Sequence, residues 1–219
     1  MQFDIPYIVI VLGAILFSMT LHEAMHAFVG YWLGDDTAKA QGRLTLNPIK
    51  HIDPFLTILL PVILALIPGA PIFGGAKPVP FNPNRVRGGE WGAALVAVAG
   101  PLTNLLIAFI FCGIGVVSGV ISAEGVQVSL TGKIIITGVS VNLGFFVFNM
   151  LPIPPLDGSR VLYALAPEFV RRGMEAIERM GVFLVFAIVL LAGSLIGSIM
   201  SGAINGIMQL FLGIFHISP

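Results

Sequence analysis

Residues 5–33 read IPYIVIVLGAILFSMTLHEAMHAFVGYWL. An apolar run of this length suffices to cross a bilayer, which takes about 20 residues as a helix. Its C-terminal half nevertheless holds His22, Glu23 and His26 in the order His-Glu-x-x-His. On a helix, residues four apart share one face, so both imidazoles reach one metal ion and Glu23 stands beside them. Ionisable groups in a membrane helix are each unfavourable by roughly 3 kcal/mol and mark function by default. The pattern is that of zinc hydrolases, with Glu23 placed to take a proton from water. Its setting predicts hydrolysis within a bilayer.

Composition agrees with the membrane reading. The chain has 219 residues, of which 57% are hydrophobic and 10% charged, and its mean hydropathy is +0.99. Soluble domains carry about 25% charged residues. The net charge is zero, so no global field draws nucleic acid or an acidic partner, and neither is expected. Cys112 is the single cysteine, which excludes an internal disulfide and leaves the redox compartment open. Met1 to Pro6 holds Asp4 and no Lys or Arg, so the N-terminus does not read as a cleavable signal peptide.

Hydropathy and turn residues divide the rest of the chain. Gly34-Asp35-Asp36 ends the first span, and Gln41 to Leu46 reads as a short strand closed by Asn47-Pro48. Pro54 to Ile67 is apolar but spans only about 14 residues, marginal for a crossing. Pro68 to Arg87 is rich in Gly and Pro and reads as irregular. Trp91 to Val120 and Leu130 to Leu151 are two further spans, the latter stopped by Pro152, Pro154 and Pro155. Glu168 to Met180 sets Phe169, Val170, Met174, Ile177 and Met180 against Arg171, Arg172, Glu175, Glu178 and Arg179, as an interfacial amphipathic helix does. Gly181 to Phe215 would run about 50 Å as one helix against a hydrocarbon core of about 30 Å, so a break is expected near Gly193 to Gly202. Either one span plus a surface helix or a helical hairpin would result. The fold expected is an all-α polytopic membrane protein of about four to six membrane helices. A re-entrant segment and a small β-strand or hairpin element lie near the active site. No repeat or linker divides the chain, so residues 1–219 read as a single membrane-embedded domain.

A zinc site needs a third protein ligand. Asp157, just past the third span, meets the histidines only if the first and third spans run the same way. Trp91 to Val120 supplies the one crossing between them, so Pro54 to Ile67 should dip in and return on the same side. Charge is an independent test. Lys39, Arg43, Lys50, Lys77, Arg85, Arg87, Arg160, Arg171, Arg172 and Arg179 then share one side, and only Lys133 of the eleven Lys and Arg lies opposite. By the positive-inside rule the ten are cytoplasmic, which puts the chain in the cytoplasmic membrane with its site open toward the cytoplasm.

Other roles compete for these residues. Asp157, in Leu-Asp-Gly, also suits a turn or a helix N-cap. His51 and Asp53 follow the first span closely and compete with Asp157 as third ligand. Asn104, near the start of the second span, suits either an interhelical amide bond or donation to the substrate carbonyl. Asn142 reads as an interhelical group, and Asn149 suits either role. The 41–46 strand, with Ala76 to Phe81 as a partner held to an edge by Pro78 and Pro80, would accept an unwound substrate by strand addition.

His-Glu-x-x-His in a membrane helix, Gly100-Pro101-x-x-Asn104 and Leu156-Asp157-Gly158 together resemble the site-2 protease family of intramembrane zinc metalloproteases. The stretches 33–37, 42–48, 51–54 and 148–158 resemble its small prokaryotic branch, and the resemblance covers roughly residues 10–165. It implies Zn2+ held by His22, His26 and Asp157, with Glu23 as general base. It implies a substrate-orienting role for Asn104, favours Asp157 over His51 and Asp53, and leaves His51 near the site. Many relatives carry a PDZ module between the spans matching the second and third here. Ile121 to Ser129 is too short for one, and no C-terminal regulatory domain is expected.

The activity implied is hydrolysis of peptide bonds in or near transmembrane segments of other proteins, with the lipid bilayer as setting. Water would reach the site through residues 68–90, a candidate gate. Two rivals are a zinc transporter or channel and a non-catalytic zinc-binding membrane protein. A transporter should line the full depth of the membrane with polar groups and has no need of Glu23. A binding protein should be indifferent to Glu23→Gln.

Overall fold

The computed structural model describes residues 5–66 and 75–217. Among the described residues, four helices are long and apolar enough to cross a membrane. They are α1 (Ile5–Trp32), α4 (Gly89–Val117), α5 (Leu130–Asn149) and the Leu191–Ile214 part of α8 (Val182–Ile214). Between them lie α2 (Thr37–Ala40), α3 (Leu60–Leu66), α6 (Gly158–Leu165) and α7 (Glu168–Glu178). The chain is a multi-pass, all-α membrane protein.

Apolar length makes α1 a helix, and its end is built by hydrogen bonds rather than by loss of hydropathy. Asp35 N–H donates to Gly30 O at 2.9 Å and Gly34 N–H to Tyr31 O at 3.0 Å, the paired bonds that close a helix and satisfy its last carbonyls. At the other end of the bundle, the Ser129 hydroxyl accepts Gly132 N–H at 3.0 Å and starts α5.

Helix directions follow from the side-chain register. His22 meets Asn104 while His26 meets Val96, so α1 and α4 are antiparallel. Asn104 meets Asn142 while Phe111 lies over Gly138 and Ile135 over Gly115, so α4 and α5 are antiparallel too. The first and third spans therefore run the same way, as the topology argument requires.

The segment after Asp53 also behaves as that argument demands. The Asp53 carboxylate caps a wide turn of helix over Pro54–Leu59, accepting Phe55 and Leu56 N–H, and α3 follows. Gly75 N–H returns to Leu56 O at 2.9 Å, and Thr57 Oγ1–H donates to Gly75 O at 2.6 Å. The excursion thus begins and ends at the same level, as a re-entrant segment does. Ile67 and the Pro68–Gly74 part of the candidate gate lie outside the described residues. Residues 75–88 are irregular except for one tight turn at Pro83–Arg85.

Two expectations change. Residues 41–46 form no strand: Gly42 adopts φ +65°, and Arg43 N–H folds back to Ala38 O at 2.8 Å. A small antiparallel sheet does exist, pairing Ile121 with Val126 and Ser122 with Gly125. It joins α4 to α5 at the end of the bundle opposite the histidines. The last apolar stretch is kinked and gives one span, Leu191–Ile214, rather than a hairpin. Its break falls at Ala192 (φ −122°, ψ 20°), just before the expected window.

The core between α4, α5 and α8 is made by Ala108, Cys112, Ile135, Val139, Leu143 and Phe211. Small residues let the helices close, as lipid-immersed helices require. Leu102, Leu106, Ile110 and Ile114 face outward from α4 at helical spacing, the stripe expected against acyl chains. On α7, Met174 packs inward while Phe169 and Ile177, with Met180 just past its end, stay uncovered by the chain, as an interfacial helix requires. Arg171 ties that helix to α6, donating from Nε to Tyr163 O at 3.0 Å and from Nη2 to Ala164 O at 3.2 Å.

Candidate metal centre

Among the described residues, His22, His26 and Asp157 are the group of side chains that could hold a metal ion. The turn between α5 and α6 delivers Asp157. Gly158 lies so close to the end of α5 that a Cβ there would strike the Met150 carbonyl. Glycine thus lets the Leu-Asp-Gly turn fold under α5 and aim Asp157 at α1.

The back of each imidazole is tied down. His22 Nδ1 lies 2.6 Å from Asn104 Oδ1, and His26 Nδ1 lies 2.7 Å from Val96 O. Both partners are acceptors only, so each Nδ1 carries the proton and each Nε2 presents a lone pair. The two Nε2 atoms are 3.0 Å apart, and Asp157 Oδ2 lies 3.2 Å from the first and 3.4 Å from the second. Two lone pairs and a carboxylate oxygen facing one another repel unless a cation stands between them. Tetrahedral zinc with ligands at about 2.0–2.1 Å sets neighbouring ligand atoms about 3.3 Å apart. The observed triangle fits that demand.

Behind His22 the hydrogen bonds run in one direction. His22 Nδ1–H donates to Asn104, Asn104 Nδ2–H to Asn142 Oδ1 at 2.8 Å, and Asn142 Nδ2–H to Gly138 O at 2.8 Å. The Gly138 carbonyl fixes the Asn142 amide, which fixes Asn104, which fixes the tautomer of His22. Outer partners of this kind orient metal ligands and raise their basicity. Asn104 is 0% exposed, and its amide also reaches Ser18 O at 3.4 Å. The sequence expects Asn104 to orient substrate; the structure places it as a buried amide whose oxygen faces His22. Spacing along α4 says nothing of which face α1 covers, and that docking decides the contact. Asn142 is the interhelical group the sequence implies, with a consequence for His22 that no local signal reveals.

The other candidates stand apart. His51 is buried, with Nε2 2.9 Å from Thr45 O, and Asp53 caps the re-entrant segment. Neither belongs to the metal-capable group. Asn149 donates to Phe145 O within its own helix at 3.0 Å. Glu23, beside His22, is half-buried and accepts the backbone N–H of Val79 at 2.8 Å. Residues 75–82 therefore lie against the centre, a contact with no mark in the sequence. Nearby, Asp35 accepts Asn82 N–H and both donors of Thr37. Burial pushes its carboxyl up, but these hydrogen bonds outweigh it and hold the group below the usual carboxylate range.

Comparison with known proteins gives the family. Residues 120–193 match the family model of peptidase family M50. The chain is 41% identical over 215 residues to "Putative zinc metalloprotease YwhC" of Bacillus subtilis, covering 96% of this chain and 93% of that one. It is 31% identical over 188 residues to "Putative zinc metalloprotease Rip2" of Mycolicibacterium smegmatis, covering 85% and 68%. It is 46% identical over 67 residues to "Putative zinc metalloprotease MJ0611" of Methanocaldococcus jannaschii, 31% of each chain. No solved structure matches the chain. With its motifs in order on membrane helices and its similarity to YwhC running nearly end to end, the chain belongs to peptidase family M50, the site-2 proteases.

Proposed function

We propose that the chain is an intramembrane zinc endopeptidase that hydrolyses peptide bonds in or near transmembrane segments of other membrane proteins. The observation that carries this reading is the convergence of two imidazole lone pairs and the Asp157 carboxylate beside Glu23, within a bundle of membrane helices. His22, His26 and Asp157 would hold the ion. Zinc in such a site supplies Lewis acidity and makes water nucleophilic near neutral pH. Glu23 takes the proton of the attacking water as its oxygen bonds to the scissile carbon, and passes it to the amine as the C–N bond breaks. Asn104 acts through His22 as a positioning residue. Residues 1–219 act as one membrane-embedded protease domain.

Glu23→Gln keeps the shape of the side chain and removes the base. The expected result is retention of bound zinc with cleavage down by about 10²–10⁴-fold. Membrane fragments seen by proteomics in wild-type cells should then be missing from Glu23→Gln cells. An unchanged fragment set would overturn the assignment.

The site is proposed to open toward the cytoplasm. The C-terminal ends of α1 and α5 and the N-terminal end of α4 share one side of the bundle, and ten of the eleven basic residues attach there. Cys112 is buried, so Asn84→Cys offers one reactive thiol. A membrane-impermeant maleimide should label it in inside-out vesicles and leave intact cells unlabelled. Labelling from outside would reverse the orientation.

A further inference from the structure

We propose that the backbone amide of Val79 is a positioning group for Glu23, delivered by a proline-flanked strap that runs from residue 75 to residue 82. The inference rests on reading Glu23 as the general base.

The sequence Lys77-Pro78-Val79-Pro80-Phe81 prepares the strap. Proline fixes φ near −65°, lacks N–H and drives the residue before it into extended conformations. Pro78 and Pro80 therefore hold this stretch extended and strip it of donors on both sides of Val79. Between Lys77 and Phe81 the Val79 amide is the sole backbone donor, and it goes to Glu23 Oε2 at 2.8 Å. A slip of one residue either way would bring a proline opposite the carboxylate, with nothing to donate. Register is therefore enforced by composition.

The strap is pinned on both sides of this contact. Gly75 N–H donates to Leu56 O at 2.9 Å, and Lys77 N–H to His51 O at 2.9 Å. Arg43 Nη2–H donates to Lys77 O at 2.5 Å, and Asn82 N–H to Asp35 Oδ2 at 2.8 Å. Residues 75, 77 and 79 all bond toward the body of the protein, the period of two expected of an extended chain. Asp35, Arg43 and His51 are buried polar groups outside the metal centre. Holding the strap accounts for the Asp35 and Arg43 side chains, and His51 adds its main-chain carbonyl: each fixes a main-chain atom within three residues of Val79. The amide that results is rigid relative to α1. It selects one rotamer of a side chain with three rotatable bonds, occupies one carboxylate oxygen and leaves the other to take the proton.

Two measurements test this. In zinc-loaded protein in detergent micelles, hydrogen–deuterium exchange isolates the Val79 amide, because its neighbours are prolines. We expect it to be protected, and to exchange at least tenfold faster in Glu23→Ala, which removes the acceptor. Fast exchange in wild type, or no response to Glu23→Ala, would overturn the contact. In cells, Val79→Pro should lower the yield of Glu23-dependent membrane fragments by about 10- to 100-fold, the usual loss for an outer partner. Val79→Ala, which keeps the N–H, should stay within about threefold of wild type, and both variants should keep their zinc. Equal or higher yield from Val79→Pro would overturn the proposal while Glu23→Gln cells stay devoid of fragments. Fragments persisting in Glu23→Gln cells would instead overturn the reading of Glu23 as base.

Discussion

Replacing Gly100 with alanine is expected to empty the metal centre. A Cβ built on Gly100 falls within the contact radius of His26 Nε2, 2.6 Å from His26 Cε1 and 2.7 Å from His22 Nε2. The two Nε2 atoms are those that would face the ion, so the added methyl group competes for its place. The rings cannot retreat, because Asn104 holds His22 from behind and Val96 O holds His26. Relief must come from parting α1 and α4, which are closed by small residues. The expected outcome is zinc below about a tenth of an equivalent per chain by elemental analysis, and cleavage down by at least about 100-fold, as for loss of a ligand's orientation. Gly206→Ala in α8, where the new Cβ meets nothing within 4 Å, is the control and should keep its zinc. A Gly100→Ala protein that holds a full equivalent would show that the histidines do not meet under α4 as described.

Much of this arrangement is legible in the sequence, for a physical reason. Hydrocarbon penalises each unpaired ionisable group and each exposed main-chain polar group, so spans, their breaks and their few charged residues stand out. The same parity that lets Asp157 meet the histidines requires the chain to double back after Asp53, and the Gly75–Leu56 bond shows it returning. What the sequence hides depends on partners distant along the chain. Gln41 to Leu46 has the composition of a strand, but a strand needs a neighbour. There the chain turns at Gly42 while the Arg43 guanidinium reaches Lys77 O. Asn104 has the chemistry of a substrate donor, but α1 and α5 close over it and spend its amide on His22 and Asn142. Helix length forecasts a break in α8 without fixing its residue. The strap over Glu23 leaves only two prolines as its trace, and prolines mark many loops.

Replacing Asp157 with alanine should abolish zinc binding where replacing His51 or Asp53 does not. Sequence alone leaves all three as possible third ligands, and they differ sharply in surroundings. His51 spends Nε2 on Thr45 O and its carbonyl on Lys77 N–H. Asp53 spends Oδ1 on Phe55 and Leu56 N–H, so its loss costs about 1 kcal/mol of capping at the start of the re-entrant segment. Asp157 alone faces both Nε2 atoms, at 3.2 and 3.4 Å. Without it, two imidazoles remain, one ligand short of the three protein ligands that zinc hydrolases use. Asp157→Ala should therefore lose at least about 100-fold in zinc affinity, measured by competition with a chromophoric chelator. His51→Ala and Asp53→Ala should bind zinc as wild type does while melting at lower temperature in detergent. Zinc retained by Asp157→Ala, or lost from His51→Ala in a protein that still folds, would move the third ligand into the re-entrant segment. That would undo the argument from parity as well, since a ligand there needs no third span running parallel to the first.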